Sequence, residues 1–254
     1  MDVLRTARKG PVLTLTLNRP DRLNALSAEL ADALAERLEG ATSEADVRVV
    51  VLRGAGRGFC AGADISPYDE ALDGRALDRA NRIVRAVIRL DKPVVAAVQG
   101  PAAGVGCSIA LAADLCVASE SASFLLAFAR IGLMPDGGST ATVAASIGRA
   151  RAMRMALLAE PLTGREAHEA GLVSHLADDD SFETVLADVV GRLAVGAPLG
   201  HAATKRAVNA AALAGLDDAL ERERTGQTIL LRSHDAAEGM AAFAERRRPT
   251  FEGE

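Results

Sequence analysis

Short β-branched strands that run straight into glycine-rich turns constrain this chain more than any other feature. Residues 47–53 read as a strand entering a loop with Gly54, Gly56 and Gly58, continued by Phe59-Cys60-Ala61-Gly62-Ala63-Asp64. Residues 94–98 read as a second such strand and lead into Gly100-Pro101-Ala102-Ala103-Gly104-Val105-Gly106-Cys107. A third turn, Gly132-Leu133-Met134-Pro135-Asp136-Gly137-Gly138-Ser139, carries an acid. Glycine has no Cβ, so the backbone N–H groups beside it can approach a ligand closely. Two N–H groups aimed at one oxygen make an oxyanion hole, usually the largest single electrostatic contribution in acyl chemistry.

Around these turns the pattern is regular. Residues 12–17 alternate with period two, as a half-buried strand does. Residues 18–24 form a loop marked by Pro20 and Asp21, and Ser27 caps a helix that repeats Leu30, Leu34 and Leu38 and ends at Gly40. A helix around residues 77–90 gathers Ile83, Val84, Val87 and Ile88 on one face, and residues 115–118 make a short strand. From Ser139 onward the chain is helical, with segments at 150–158, 183–193, 199–214, 216–231 and 234–247. Thr163 and Glu166, three apart, have the layout of a capping box. Strands thus crowd the first half and helices the second, and Gly196-Ala197-Pro198 divides residues 1–197 from a helical region at 198–254.

Composition narrows the function. With 49% hydrophobic and 25% charged residues in 254, the chain is long and apolar enough for one sizeable core. A net charge of −5, no Trp and a single Tyr argue against nucleic-acid binding, which favours basic surfaces and aromatic platforms. The N-terminal 20 residues lack the apolar core of a signal peptide, and no run approaches the roughly 18 apolar residues of a membrane span. Cys60, Cys107 and Cys116 are odd in number, and His168, His175, His201 and His234 are scattered, so neither a disulfide framework nor a metal site is expected. The expectation is a soluble, cytoplasmic protein.

Five spaced segments carry a specific resemblance. They are Asn18-Arg19-Pro20-Asp21-Arg22-Leu23-Asn24-Ala25-Leu26, then Phe59 to Ile65, Lys92 to Asp114, Ala127 to Gly138, and Glu238-Gly239-Met240 to Arg248-Pro249. In this order they resemble the crotonase superfamily, the enoyl-CoA hydratase/isomerase family, over nearly the whole chain. The resemblance implies an α/β fold: a crotonase-like spiral core of ββα units with a C-terminal helical trimerisation region, assembled as a homotrimer or hexamer. It implies a coenzyme A thioester as substrate and no separate cofactor. Ala63 and Val105 match the family's oxyanion-hole positions. Ala61, Asp64 and Ile65 fall on the loop along the coenzyme A path, and Leu23 and Ala25 on another loop that touches it. The segment 66–78, including Tyr68, shapes the acyl pocket.

The departures from the family pattern decide the chemistry. Hydratases of the family use two glutamates, at positions held here by Ser108 and Phe128. Adding water to a double bond requires water to be deprotonated and a proton delivered to carbon. Serine and phenylalanine offer no such pair. Asp136 instead occupies the position of the catalytic aspartate in isomerases of this superfamily, those of the phenylacetate pathway among them, and the surrounding residues 127–138 resemble those isomerases more than the hydratases. One acid and an oxyanion hole suffice to move a double bond, with Phe128 raising the acid's basicity by desolvation and Ser108 forming a polar wall of the acyl pocket or beginning a buried helix. The plainer reading of Asp136 is a side-chain cap on the helix that follows. A hydratase using non-standard groups and a catalytically silent acyl-CoA binder are the alternative functions. Gly106-Cys107-Ser108-Ile109-Ala110 echoes a nucleophile elbow, but no histidine is singled out to serve it. The Glu245-Arg246-Arg247-Arg248 cluster reads as a helix end complementing the dipole; a weaker reading brings its arginines, or a neighbour's Phe243, to the nucleotide end of coenzyme A.

Overall fold

A computed structural model describes residues 2–64 and 74–254. Strands β1 (Leu4–Lys9) and β2 (Val12–Leu17) form an antiparallel hairpin, and β2 pairs in parallel with β3 (Val49–Gly54). Strands β4 (Val94–Val98), β6 (Leu115–Ser119) and β9 (His175–Ala177) extend the sheet in parallel, giving the order β1-β2-β3-β4-β6-β9. A second sheet, β5-β7-β8, is built from β5 (Pro101–Ala103), β7 (Ser123–Leu125) and β8 (Leu162–Thr163). The expected α/β architecture, with helices gathered at the C-terminal end, is the one observed.

The central strands are buried on both faces, which is why residues 49–52 and 94–98 read as unbroken apolar runs. Val50, Leu52, Val94, Ala96 and Val98 point into the main core. Helices α1 (Ala28–Gly40), α2 (Arg75–Arg89) and α3 (Val105–Ala112) contribute their apolar faces to the same core. Val49, Val51, Val95, Ala97 and Val117 point the other way, against Phe182, Leu186 and Val189. Those three belong to a helix spanning Phe182–Val195.

Capping residues act where the sequence put them. Ser27 Oγ accepts from the Leu30 N–H, and α1 ends at Gly40. Thr163 and Glu166 form the full capping box of a short helix, Gly164–Glu169. In chain order the helices after α3 are α4 (Ser139–Leu158), α5 (Gly164–Glu169), α6 (Phe182–Val195), α7 (Pro198–Ala212), α8 (Leu216–Leu230) and α9 (His234–Glu245). The segment expected as a helix at 150–158 is the second part of α4, which breaks at Gly148 (φ 77°, ψ 160°). Within the loop 18–24, Pro20–Arg22 make a turn of 3₁₀ helix.

The helical end is tied to the sheet core by a buried charge. Lys205 on α7 donates to Asp114 (2.7 Å), to the Val87 carbonyl (2.8 Å) and to the Lys92 carbonyl (3.2 Å). Asp114 also accepts from the Val94 N–H at 2.7 Å, so both charges are hydrogen-bonded. Removing one partner of such a pair typically costs about 3–5 kcal/mol. No described helix is long and apolar enough to cross a membrane.

Candidate active site

The first wall of the site is made of backbone. Leu23 and Asn24 both adopt left-handed conformations (φ 49° and 57°), which turn the Asn24 side chain inward. There it is fully buried and accepts from the Arg19 N–H, while its amide donates to the carbonyls of Ala55 and Gly58. This staple holds the loop of residues 18–26 against the glycine-rich turn. The Ala61 N–H then donates to the Leu23 carbonyl, the Leu26 N–H to the Gly62 carbonyl, and the Asp64 N–H to the Leu26 carbonyl. In this parallel bridge the neighbours of Ala63 carry the bonds to Leu26. The N–H of Ala63 itself therefore points away from Leu26, on an exposed residue.

The second backbone donor comes from the N-terminus of α3. Gly62 and Gly104 bring the two turns together: a Cβ on Gly62 would lie 3.1 Å from the Ala103 carbonyl oxygen and 3.7 Å from the Gly104 Cα. Gly104 takes φ 52°, ψ −133°, a conformation costly for any residue with a side chain, and so reverses the chain from β5 into α3. Val105 is the first residue of that helix, where an N–H has no partner within the helix. Cys107 and Ser108 turn their N–H groups back to the Gly104 carbonyl. The N–H groups of Val105 and Gly106 head the helix, where its dipole favours negative charge.

Asp136 stands on the turn between these walls and α4. It is 7% exposed, and the 2.7 Å bond from Ser108 Oγ to its main-chain carbonyl pins the turn to α3. Gly137 is packed so closely that a Cβ there would meet Ser108 Cβ at 2.9 Å. The Asp136 carboxyl accepts one hydrogen bond, from Gln227 Nε2 to Oδ2 at 3.0 Å. Its Oδ1 is buried without a hydrogen-bond partner among the described residues. Burial pushes this carboxyl up to about 7; the Gln227 hydrogen bond opposes the shift and the nearby Glu223 charge adds to it. A carboxylate held near neutrality in an apolar setting is poised to take up a proton and give it back.

Asp136 does not cap α4. That task falls to Glu223 on α8, which accepts from the Gly138 N–H at 2.6 Å and from the N–H (2.9 Å) and hydroxyl of Thr140. Burial raises the Glu223 carboxyl as well, against the pull of those hydrogen bonds. Gln227, one helical turn along, grips Met134 from both ends, accepting from its N–H (3.0 Å) and donating to its carbonyl (2.8 Å). Sequence reasoning missed both residues. One signal was present: on a helix at 216–231, Glu223 and Gln227 continue the face of Leu216 and Leu220, placing polar side chains where the core should be.

The remaining candidates divide. Leu23 and Ala25 are half-buried on the loop beside Ala61, and Ala61 is exposed. Asp64 is paired with Arg19 at 2.7 Å, and the same guanidinium donates to the Ala25 carbonyl, so Asp64 ties its own loop to the loop of residues 18–26. Ser108 is fully buried and its hydroxyl donates to the Asp136 main-chain carbonyl, so it lies inside α3, as the buried-helix reading has it. That geometry also removes the nucleophile reading, since no histidine is bonded to Ser108 among the described residues. Phe128 is buried, its ring tip 4.0 Å from where a Gly104 Cβ would stand. Ile65 and Tyr68 lie outside the described residues. At the C-terminus, Arg247 is held by Glu238 and Glu245, while Phe243 is 65% exposed.

Comparison with known proteins gives matches over nearly the whole chain. Residues 7–254 match the family model described as Enoyl-CoA hydratase/isomerase. The chain is 41% identical to the 1,2-epoxyphenylacetyl-CoA isomerase of Escherichia coli, over 99% of its own length and 98% of the relative's. It is 35% identical to the 2,3-dehydroadipyl-CoA hydratase of the same organism, over the full length of both. A crystal structure of an enoyl-CoA hydratase from Mycobacterium avium subsp. paratuberculosis superposes with a TM-score of 0.93 at 49% identity, covering 98% of each chain.

Proposed function

Because the chain belongs to the enoyl-CoA hydratase/isomerase family, we propose that it is an enoyl-CoA isomerase, which shifts a double bond through a thioester dienolate. The observation that carries this reading is the buried carboxyl of Asp136, with one oxygen bonded and the other bare among the described residues. In the proposed reaction the thioester oxygen of a 3-enoyl-CoA accepts hydrogen bonds from the N–H groups of Ala63 and Val105. Asp136 removes a proton from the α carbon; the electron pair spreads through the dienolate onto the oxygen. The protonated acid then returns the proton to the γ carbon, giving the conjugated 2-enoyl-CoA. Nothing is oxidised or reduced, and coenzyme A enters only as part of the substrate.

The geometry disfavours hydration for a specific reason. Water addition needs a second group to handle the water proton. Among the described residues the carboxylate acting on Asp136 is Glu223, and its oxygens are committed to Gly138 and Thr140. Leu23, Ala25, Ala61 and Asp64 are proposed to border the coenzyme A path, Ile65 and Tyr68 to continue it, and Phe128 to dry the acyl end. A homotrimer or hexamer in the cytoplasm belongs to the same proposal.

Mixing the purified protein with a 3-enoyl-CoA should produce the ultraviolet absorbance of a conjugated 2-enoyl-CoA. Asp136→Asn should lower that rate by about 10³-fold or more, within the range of a lost general acid–base group, while leaving thioester binding intact. Undiminished turnover in the variant would refute the assignment. Binding without turnover in the unmodified protein would favour a silent acyl-CoA binder.

A further inference from the structure

Gln227 sits 91 residues beyond Asp136 in sequence, yet its amide is the one hydrogen-bond partner of that carboxyl among the described residues. Its orientation follows from its other bonds. Because Oε1 must accept from the Met134 N–H, the Nε2 end is the one that faces the Met134 carbonyl and Asp136 Oδ2. An amide flip would set Oε1 against two acceptors, the Met134 carbonyl and Asp136 Oδ2, and the amide N–H against the Met134 N–H, leaving buried groups unpaired. The two oxygens of Asp136 are therefore made unequal by a fixed donor. Oδ2 always accepts, so a proton on this acid has one place to reside.

Building on the isomerase reading, we propose that Gln227 is a positioning residue: it reserves Oδ1 of Asp136 as the oxygen that takes the proton from one carbon and returns it to the other, and it stabilises the carboxylate between turnovers. The groups packed around the acid support this. From α3 comes Ser108, whose hydroxyl is spent on the Asp136 main-chain carbonyl. From α8 comes Glu223, which bears the charge that acts on Asp136 and is itself held by Gly138 and Thr140. Gln227 is thus the group that favours the ionised acid, against burial and Glu223, which disfavour it. With the proton bound, Oδ1 carries it as a donor toward the substrate; with it released, Gln227 Nε2 still holds Oδ2. A helix from the far end of the chain thereby sets which atom does the chemistry.

The test is the pH profile of isomerisation in Gln227→Leu, which keeps the bulk and removes the amide, and in Gln227→Asn, whose shorter side chain cannot reach both Met134 and Asp136. Each variant should lose about 10- to 100-fold in kcat at pH 7 with KM within about threefold of the parent. The acid limb of kcat should move to higher pH, so that part of the loss is recovered near pH 9. A loss of equal size at every pH, with the limb unmoved, would mean that Gln227 only braces the loop and would overturn the proposal. So would unchanged kcat. If Gln227→Leu does not fold, Gln227→Asn decides the matter alone. Asp136→Asn serves as the control that separates the two ideas: if it keeps turning over, the isomerase reading has failed, whereas an inactive Asp136→Asn beside unshifted Gln227 variants sinks this inference only.

Discussion

The site has two walls made in different ways. One, from the turns at Ala61–Ala63 and Gly104–Gly106, offers N–H groups whose positions depend on φ and ψ and on a bridge to Leu26. The other, from the turn at Asp136 and the buried face of α8, offers side chains: Asp136, Glu223 and Gln227. A backbone wall tolerates variation in its side chains, because any non-proline residue brings the same N–H. A side-chain wall tolerates little, since each atom in it answers another atom in a low-dielectric setting.

Val105 offers the sharpest way to break that contrast. Proline suits the first position of a helix, and there its missing N–H removes no helical hydrogen bond. The preceding Gly104, at φ 52° and ψ −133°, lies in the mirror image of the extended region that a residue before proline prefers, which glycine reaches freely. Val105→Pro should therefore fold, yet lose about 10²–10³-fold in kcat, the usual effect of deleting one oxyanion donor. Steady-state kinetics beside a circular dichroism melt would show a folded, slow enzyme; full activity would remove Val105 from the hole.

Asp136→Asn addresses the cost of the second wall. An ordinary aspartate titrates at 3.8, whereas Asp136 does so at about 7 because it is buried. Between those values the native state holds a proton that the unfolded chain has lost, so rising pH weakens the fold until the acid is fully ionised above about 7. The variant lacks this penalty. Relative to the parent it should gain stability on the order of 4 kcal/mol at pH 8 and close to nothing at pH 4, read from chemical denaturation at both values.

Glu223→Gln should give a smaller effect of the opposite kind to that of Gln227. Removing the charge lets Asp136 ionise more readily, so the acid limb of kcat/KM should move to lower pH, with kcat at pH 8 changed by a few-fold at most. The amide can no longer accept from both Gly138 and Thr140, so α4 loses part of its cap and the fold about 1–2 kcal/mol. A limb that stays in place would mean that Glu223 does not influence the acid. Smallest of all is Val105→Ala, expected within about threefold of the parent because the N–H is retained.

The same contrast explains what the sequence made readable. Local rules settled Ser27 and Thr163 as caps, the end of α1 at Gly40, and the glycine turns that carry the backbone donors. Each depends on residues a few positions apart. Strands of two or three residues, such as β5, β7 and β8, exist only through pairing with distant chain and have no periodicity to read. Ser108 could be placed on a helix from its neighbours, but the carbonyl its hydroxyl seeks is 28 residues away. Glu223 and Gln227 reach back 85 and 91 residues to the Gly138 and Asp136 they serve. Asp136 itself, and its desolvation, could be anticipated through motif resemblance; the Gln227 and Glu223 that act on it came only with the fold.

The most direct measurement is the product ratio from a 3-enoyl-CoA incubated with the unmodified protein, separated by chromatography into conjugated 2-enoyl-CoA and 3-hydroxyacyl-CoA. A lone carboxyl facing a dienolate should deliver the conjugated thioester and build up the hydroxy product at no more than the enzyme-free rate. Accumulation of 3-hydroxyacyl-CoA at a rate comparable to the double-bond shift would contradict the account, because one acid without a partner would then be handling water.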